Sequence, residues 1–285
     1  MLTERRLHIP GRPCLAVLEG ACQGQTVVFL HGLARRGSDW NPLIASLGGS
    51  IHPLLLDWRG HGHSDRAGRY QVRDYAEDLL ALLPLLAHHP VVLMGHSLGA
   101  LVAIEVASRA PERVAALVLE DPPTPGFLHQ VDATGYGQIF RAYQQLGGST
   151  EPVARLASRL ASLEILDPAG KLRLLGQMRD APSLRFMAAC LKRIDPNIAL
   201  AALTPDWLEG IHLGPALRQV LCPVLLLRGD PAFGGMMPPG ETDLLFGPVA
   251  DLTRLDLVGV GHQIHGAATE STLRALWSFL GSLEG

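Results

Sequence analysis

Short apolar runs alternate with longer amphipathic stretches over the first part of the chain. Runs rich in Val, Ile and Leu predict buried strands, and apolar positions three and four residues apart predict helices. The predicted strands are 26–30, 51–57, 91–94 and 114–120, after an N-terminal hairpin of 7–9 and 14–18. The predicted helices are 72–86, 98–108 and one that ends near residue 47 and is capped by Ser38 or Asp39. This alternation is typical of a mostly parallel, doubly wound α/β sheet.

The alternation stops after residue 123. From 124 to 215 the chain has Leu-, Ala- and Arg-rich helical stretches broken by prolines, and we predict no strand there. Strand patterns return at 223–228 and 252–258, and a last helix is predicted over 269–283. We therefore predict a core domain of residues 1–123 and 216–285, with a helical cap inserted at 124–215.

Composition narrows the class of protein without identifying a chemistry. The 285 residues are 47% hydrophobic and 18% charged, which suits one α/β domain with an insertion. The net charge of −3 argues against nucleic acid or an anionic membrane surface as the partner. The N-terminus has no apolar signal segment, and the four cysteines form no C-x-x-C pair. We expect a cytoplasmic monomer or homodimer that acts on a small molecule.

The most informative motif is Gly95-x-Ser97-x-Gly99, placed between a predicted strand and a predicted helix. This is the pattern of a nucleophile elbow, in which a sharp turn lifts one serine above the sheet edge. A serine hydroxyl is a poor nucleophile at neutral pH and needs a base that removes its proton. Ser97 is therefore the candidate nucleophile.

Three further motifs follow predicted strands in the same way: His31-Gly32, Asp57-x-Arg59-Gly60-x-Gly62-x-Ser64 and Gly261-His262. Together with the elbow they resemble the α/β-hydrolase superfamily over the whole chain except the cap. The resemblance implies that His262, and not His265, is the base. It also implies that the backbone amides of Leu33 and Leu98 form an oxyanion hole.

The acid that orients the histidine has three candidates. Most members of the superfamily carry it three residues after a glycine that ends the penultimate strand, but here that position is Ala232. Asp230 lies close by, while Glu120 and Asp121 end the strand after the elbow helix. Adjacent strand residues point to opposite faces, so only one of that pair can serve. We favour Asp121 and keep Asp230 and Glu120 as alternatives.

This alternative acid position sharpens the resemblance. The segments 119–123, 229–235 and 261–264 are together similar to the branch that contains N-formylmaleamate deformylase, whose members hydrolyse small amide or ester bonds. The implied function is a cofactor-free serine hydrolase of a small ester, lactone or amide. Carbon–carbon bond hydrolysis, lyase or perhydrolase chemistry on the same triad remains an alternative, as does a ligand-binding role. A serine at position 97 argues against dehalogenase or epoxide hydrolase chemistry, which needs an aspartate there.

We predict no cofactor and no metal. His61-x-His63 has metal-ligand spacing, but no set of carboxylates or cysteines accompanies it. Four large side chains are candidates either for the substrate pocket or for the core, namely Trp207, Phe233, Met236 and Met237.

Overall fold

The computed structural model describes residues 2–283. Met1, Glu284 and Gly285, which the predicted core domain includes, lie outside the described residues. The strands are β1 (Thr3–Leu7), β2 (Leu15–Glu19), β3 (Gln25–Leu30), β4 (Ile51–Leu56), β5 (Val91–His96), β6 (Val114–Glu120), β7 (Glu164–Leu166), β8 (Leu172–Leu174), β9 (Val224–Gly229) and β10 (Leu252–Leu257). Eight of them form one sheet in the order β1-β2-β4-β3-β5-β6-β9-β10.

The central sheet is parallel from β4 to β10 and antiparallel at its N-terminal edge. Strands β4, β5 and β9 are buried at every residue, whereas the edge strand β1 is exposed along most of its length. Continuous burial is expected for parallel strands that are covered on both faces. The prediction of a mostly parallel, doubly wound sheet is confirmed.

Helices cover both faces of the sheet. They are α1 (Asn41–Leu47), α2 (Val72–Leu86), α3 (Leu98–Arg109), α4 (Pro125–His129), α5 (Gly135–Leu146), α6 (Val153–Ala161), α7 (Leu175–Met178), α8 (Ala181–Leu191), α9 (Asn197–Ala201), α10 (Leu213–Arg218), α11 (Pro239–Phe246), α12 (Ile264–Ala267) and α13 (Thr269–Ser282). Helices α2 and α3 pack in one apolar core with Val28 and Leu93, while α1 and α13 pack in the other with Val27 and Val92. Alternate residues of β3 and β5 therefore serve opposite cores, as the two-residue period of a strand requires.

The segment between β6 and β9 contains α4 to α10 and one hairpin. The absence of a strand there was predicted wrongly, because β7 and β8 pair antiparallel. Each of these strands has only three residues, which is too short to show a period of two in the sequence. The hairpin turn is held by Asp167, whose carboxylate accepts the backbone N–H groups of Ala169 and Lys171. The division into core and cap stays a prediction.

The start of α1 also differs from the prediction. Neither Ser38 nor Asp39 caps the helix, because a 3₁₀ turn at Gly37–Trp40 precedes it. Asp39 instead accepts two hydrogen bonds from Arg35, at 2.7 and 2.6 Å. A bidentate pair of a guanidinium and a carboxylate is among the stronger hydrogen-bonded contacts in proteins. No helix of residues 2–283 combines the length and apolarity needed to cross a membrane.

Candidate active site

The turn at Ser97 joins β5 to α3 in a conformation that few non-glycine residues adopt. Ser97 has φ 55° and ψ −115°. A Cβ on Gly99 would lie 2.1 Å from the carbonyl oxygen of Leu30, and one on Gly95 would lie 2.4 Å from the backbone of Gly99. Both glycines are therefore required for the helix to start this close to the sheet. The strain at Ser97 is of the kind that persists at functional sites.

The candidate base and one candidate acid are in direct contact. His262 Nδ1 lies 2.7 Å from Asp121 Oδ2. Asp121 is fully buried and also accepts the backbone N–H groups of Gly229 and Met236, at 2.9 and 2.8 Å. These two amides fix the carboxylate, so that it can hold the Nδ1–H of a neutral imidazole and leave Nε2 free as a base.

Asp230 and Glu120, the other two acid candidates, contact different groups. Asp230 caps a surface loop by accepting the backbone N–H groups of Ala232 and Gly259. Glu120, the last residue of β6, pairs instead with His265 Nδ1 at 2.8 Å, so the two neighbouring carboxylates contact different histidines. Asp121 is thus the carboxylate that the structure places against His262.

Ser97 and His262 line one small cavity of about 70 Å³. Its walls also include Leu33 and His96 from the core and Tyr136 and Arg179 from the inserted segment. A volume this small admits the reacting group of a substrate and little more, because ligand pockets usually measure about 300–1,000 Å³. Two larger clefts adjoin it, an apolar one of about 370 Å³ and a polar one of about 410 Å³.

Of the two residues whose amides are predicted to form an oxyanion hole, Leu33 lines this cavity and Leu98 directly follows Ser97 in the chain. Leu98 is the first residue of α3, and Leu33 lies in the loop after β3. Within residues 2–283, neither N–H donates to a protein acceptor. Next to Leu33, Ala34 has φ 57° and donates its N–H to His61 Nε2 at 3.1 Å. His61 therefore holds the loop in which the Leu33 amide is presented.

A second acid–histidine pair lies behind the first. Glu120 is fully buried and accepts the backbone N–H groups of Ile264 and His265, at 2.7 and 3.0 Å, besides bonding the His265 ring. The other ring nitrogen of His265 lies 3.6 Å from Asp39, which is an ion-pair distance and not a hydrogen bond. Burial alone would lower the pKa of His265, but Glu120 and Asp39 raise it to about 10. This histidine is therefore a cation that joins α12 to β6 and to the loop before α1.

His96 separates the two acid–histidine pairs. Its ring centroid lies 4.6 Å from that of His262 and 5.4 Å from that of His265. Its Nε2 lies 3.1 Å from the carbonyl oxygen of His262. Burial lowers the pKa of His96 to about 3, so the ring is neutral and can donate to that carbonyl. His96 thus supports the loop that carries His262.

The remaining sequence candidates are dispersed. Trp207 and Met237 are buried in the core, Met236 lines the Ser97 cavity, and Phe233 lines the apolar cleft. His63 is exposed and pairs with Glu4, away from His61. Among the described residues, no group of three or more His, Cys, Asp or Glu side chains is arranged to hold a metal ion.

Sequence reasoning missed three features of the site. The sequence carries a partial signal for the pairing of Glu120 with His265, because it has two adjacent carboxylates after one strand and two histidines three residues apart after another, but it does not say which acid meets which histidine. Tyr136 and Arg179 were not readable, since they come from the inserted segment, whose path over the sheet no local pattern specifies.

The sheet order, the elbow at the end of β5 and the buried acid at the end of β6 define the architecture of an α/β hydrolase. The chain belongs to the α/β-hydrolase fold family, whose family model matches residues 25–230. It is 29% identical to a 2-(acetamidomethylene)succinate hydrolase of Mesorhizobium japonicum, over 97% of this chain and 95% of that protein.

Solved structures agree with this assignment. A crystal structure of E-2-(acetamidomethylene)succinate hydrolase matches 99% of this chain and 100% of its own, with a TM-score of 0.79 and 25% identity. The N-formylmaleamic acid deformylase of Pseudomonas putida shares the fold, with a TM-score of 0.75 at 19% identity over 96% of this chain and 99% of its own. The predicted superfamily, and the prediction that the chain is an enzyme of the hydrolase class, are confirmed.

Proposed function

We propose that this chain is a cofactor-free serine hydrolase, which cleaves a small carboxylic ester, lactone or amide through an acyl-enzyme on Ser97. The observation that carries the proposal is the contact of His262 with the buried Asp121, because His262 also lines the cavity that Ser97 lines. The substrate name of the Mesorhizobium relative, an acetamido derivative of succinate, supports a small amide as one candidate.

In the first half of the reaction, the Ser97 hydroxyl oxygen attacks the substrate carbonyl carbon while His262 Nε2 takes its proton. The carbonyl π electrons move to oxygen, and the N–H groups of Leu33 and Leu98 donate to that oxyanion. Asp121 accepts the Nδ1–H and stabilises the imidazolium. Collapse of the tetrahedral intermediate breaks the bond to the leaving amine or alcohol, which receives the proton from His262.

In the second half, water replaces the leaving group. His262 takes a proton from water as the water oxygen attacks the acyl carbon, and the same two amides hold the new oxyanion. When this intermediate collapses, the bond to Ser97 breaks and the serine oxygen regains its proton from His262. The products are the free acid and the regenerated enzyme, so that no external electron donor or acceptor is needed.

Two measurements test this proposal. A fluorophosphonate probe should label wild-type protein at Ser97, located by peptide mass, and should not label Ser97→Ala, because only an activated hydroxyl attacks the probe. A panel of short esters, lactones and amides should be turned over by the wild type, with mass analysis of the products to show which bond is cleaved. Equal turnover by Ser97→Ala, or labelling at another residue, would refute the mechanism. Labelling together with carbon–carbon cleavage would favour the alternative reaction on the same residues.

A further inference from the structure

Two arginines line the Ser97 cavity, and their charges are compensated differently. Arg35 forms a bidentate pair with Asp39 and stacks on Phe186, with its guanidinium carbon 4.8 Å from the ring centroid. Arg179 forms no ion pair and no side-chain hydrogen bond with any of residues 2–283. The cavity lining contains no Asp or Glu. The charge that remains uncompensated at the candidate site is therefore that of Arg179.

The backbone that carries Arg179 is fixed on both sides. Its own N–H bonds the carbonyl of Leu175 at 2.9 Å, which closes the short helix α7. Asp180, the next residue, caps α8 by accepting the N–H of Ser183 at 2.7 Å. The carboxylate nearest in sequence is thus engaged at a helix N-terminus, and Arg179 is held between two helix ends.

Arg179 lies at the junction of the Ser97 cavity and the two larger clefts. It lines the Ser97 cavity, the apolar cleft and the polar cleft, and no other residue lines all three. Burial raises the pKa of Tyr136 and of Tyr143, and the charge of Arg179 opposes this for both. Both tyrosines line the Ser97 cavity, so the field of the guanidinium acts inside it.

We propose that Arg179 binds a carboxylate of the substrate, so that the enzyme selects an ester or amide that also carries a negative charge. This inference rests on the proposed function and adds the class of substrate. A guanidinium binds a carboxylate through two parallel N–H donors, which fixes orientation as well as charge. One uncompensated cation matches a singly charged carboxylate better than a phosphate, which carries nearly two charges at pH 7.

The size of the cavity supports the same arrangement. About 70 Å³ around Ser97 holds the reacting carbonyl, so that the rest of a substrate must extend past Arg179 into one of the two clefts. A carboxylate at that junction would set the depth at which the carbonyl meets Ser97. Arg179 is therefore a specificity residue, distinct from the groups that perform the bond changes.

The test uses matched pairs of esters that differ in one terminal group: monoethyl succinate with ethyl butanoate, and monoethyl glutarate with ethyl pentanoate. Wild type should prefer the charged member of at least one pair. Arg179→Gln should lower kcat/KM for that member about 10- to 100-fold, chiefly through KM, as expected for one charged hydrogen-bonded contact. In Arg179→Gln, kcat/KM for the neutral members should change less than about threefold. Arg179→Lys should keep part of the wild-type preference for the charged member.

Arg185→Gln is the matched control, because Arg185 is an exposed arginine of α8 that lies outside the three cavities. This substitution should leave kcat/KM unchanged for all four esters. Protection gives a readout that is independent of turnover: succinate, and not its uncharged diamide succinamide, should slow fluorophosphonate labelling of Ser97 in wild type, and Arg179→Gln should remove this protection.

The outcomes separate the two proposals. Absence of labelling at Ser97 overturns the serine mechanism itself. Labelling without any preference for the charged esters and without protection by succinate leaves the serine mechanism intact and overturns the role of Arg179. Equal losses on charged and neutral esters in Arg179→Gln would also overturn it, because they indicate a structural defect.

Discussion

Ser97, Asp121 and Ala34 are the three non-glycine residues with positive φ among residues 2–283, at 55°, 44° and 57°. They come from three different loops, yet they carry the candidate nucleophile, the candidate acid and the support of the Leu33 amide. A positive φ costs on the order of 1–3 kcal/mol at such residues, and it persists only where the surroundings enforce it. Because all three positive-φ residues belong to the candidate active site, the backbone strain argues for a function there independently of any family resemblance.

Asp121 and Asp230 allow a matched comparison, because each accepts two backbone N–H groups and only Asp121 contacts His262. Asp121→Asn should lower kcat by about 10³–10⁴-fold, since an amide stabilises the wrong tautomer of the base. Asp230→Asn should change kcat less than about twofold. Steady-state kinetics of both variants, with circular dichroism as a folding control, test this; similar losses in both would argue against Asp121 as the acid.

Gly99 provides a prediction on stability. Gly99→Ala places a Cβ 2.1 Å from the Leu30 carbonyl oxygen and should lower the free energy of unfolding by about 1–3 kcal/mol, the usual cost of overpacking. Gly281 lies in α13 with no atom within 4 Å of an added Cβ, so Gly281→Ala should be neutral or stabilising. Urea denaturation of the two variants measures the difference. A Gly99→Ala protein as stable as wild type would show that the elbow can relax.

Among the secondary-structure elements, the end of β6 supplies the acid of each of two acid–histidine pairs. The sequence indicated that Glu120 and Asp121 face opposite ways, and it indicated His262 as the partner of one of them. It could not assign the pairs, because the histidines follow β10, which is separated from β6 in the sheet by β9.

Strands β4, β5, β6 and α2 were predicted closely, since they are long and strongly patterned. The β7–β8 hairpin was missed because three-residue strands carry no period.

The Glu120–His265 pair predicts how stability depends on pH. The pKa of His265 is raised from 6.5 to about 10 in the folded state, so its contribution is complete below pH 6.5 and is lost as pH rises through about 10. Burial would raise the pKa of Glu120, but the charge of His265 and the hydrogen bonds from His265 lower it below its usual value of 4.5, so the contribution of Glu120 is lost as pH falls below 4.5. From this pair, stability should be greatest between about pH 5 and 6.5 and should fall toward pH 10.

Denaturation of wild type and His265→Gln at pH 6, 8 and 10 measures this dependence. The free energy of unfolding should fall less toward pH 10 in the variant than in wild type, although the variant is less stable at pH 6. His63→Gln is the control, because His63 is an exposed histidine that also pairs with a glutamate. If His265→Gln shows the same pH dependence as wild type, the cationic state of His265 is wrong.

At the scale of the whole molecule, the segment between β6 and β9 contacts the sheet domain and contributes walls to the Ser97 cavity. Tyr136 donates to the carbonyl of Gly234 at 2.7 Å, and Asp195 accepts a hydrogen bond from Tyr70 at 3.0 Å. The N–H of Asp195 also bonds the carbonyl of Gly60 at 2.8 Å. These contacts join residues that are far apart in sequence, which is why the sequence predicted that a cap exists but not which of its side chains reach Ser97.

Asp195 tests the coupling between the inserted segment and the sheet. Asp195→Ala leaves the hydroxyl of Tyr70 without its buried partner, and we expect a loss of about 1–3 kcal/mol in unfolding free energy. The segment from 124 to 215 should then be cut faster by trypsin than in wild type. Asp132→Ala, at an exposed aspartate that pairs with Arg141 of the same segment, should change neither measurement. Unchanged proteolysis in Asp195→Ala would show that this contact does not hold the segment in place.

The consecutive positions of Glu120 and Asp121 also determine where the chain can change length. A single insertion or deletion within β6 would turn each carboxylate to the opposite face, so that both histidines would lose their partners at once. Around β6, length changes should therefore be tolerated better after Pro123, where the chain has left the sheet, than within the strand. Loop libraries or domain grafts intended to alter this enzyme should therefore begin beyond that proline.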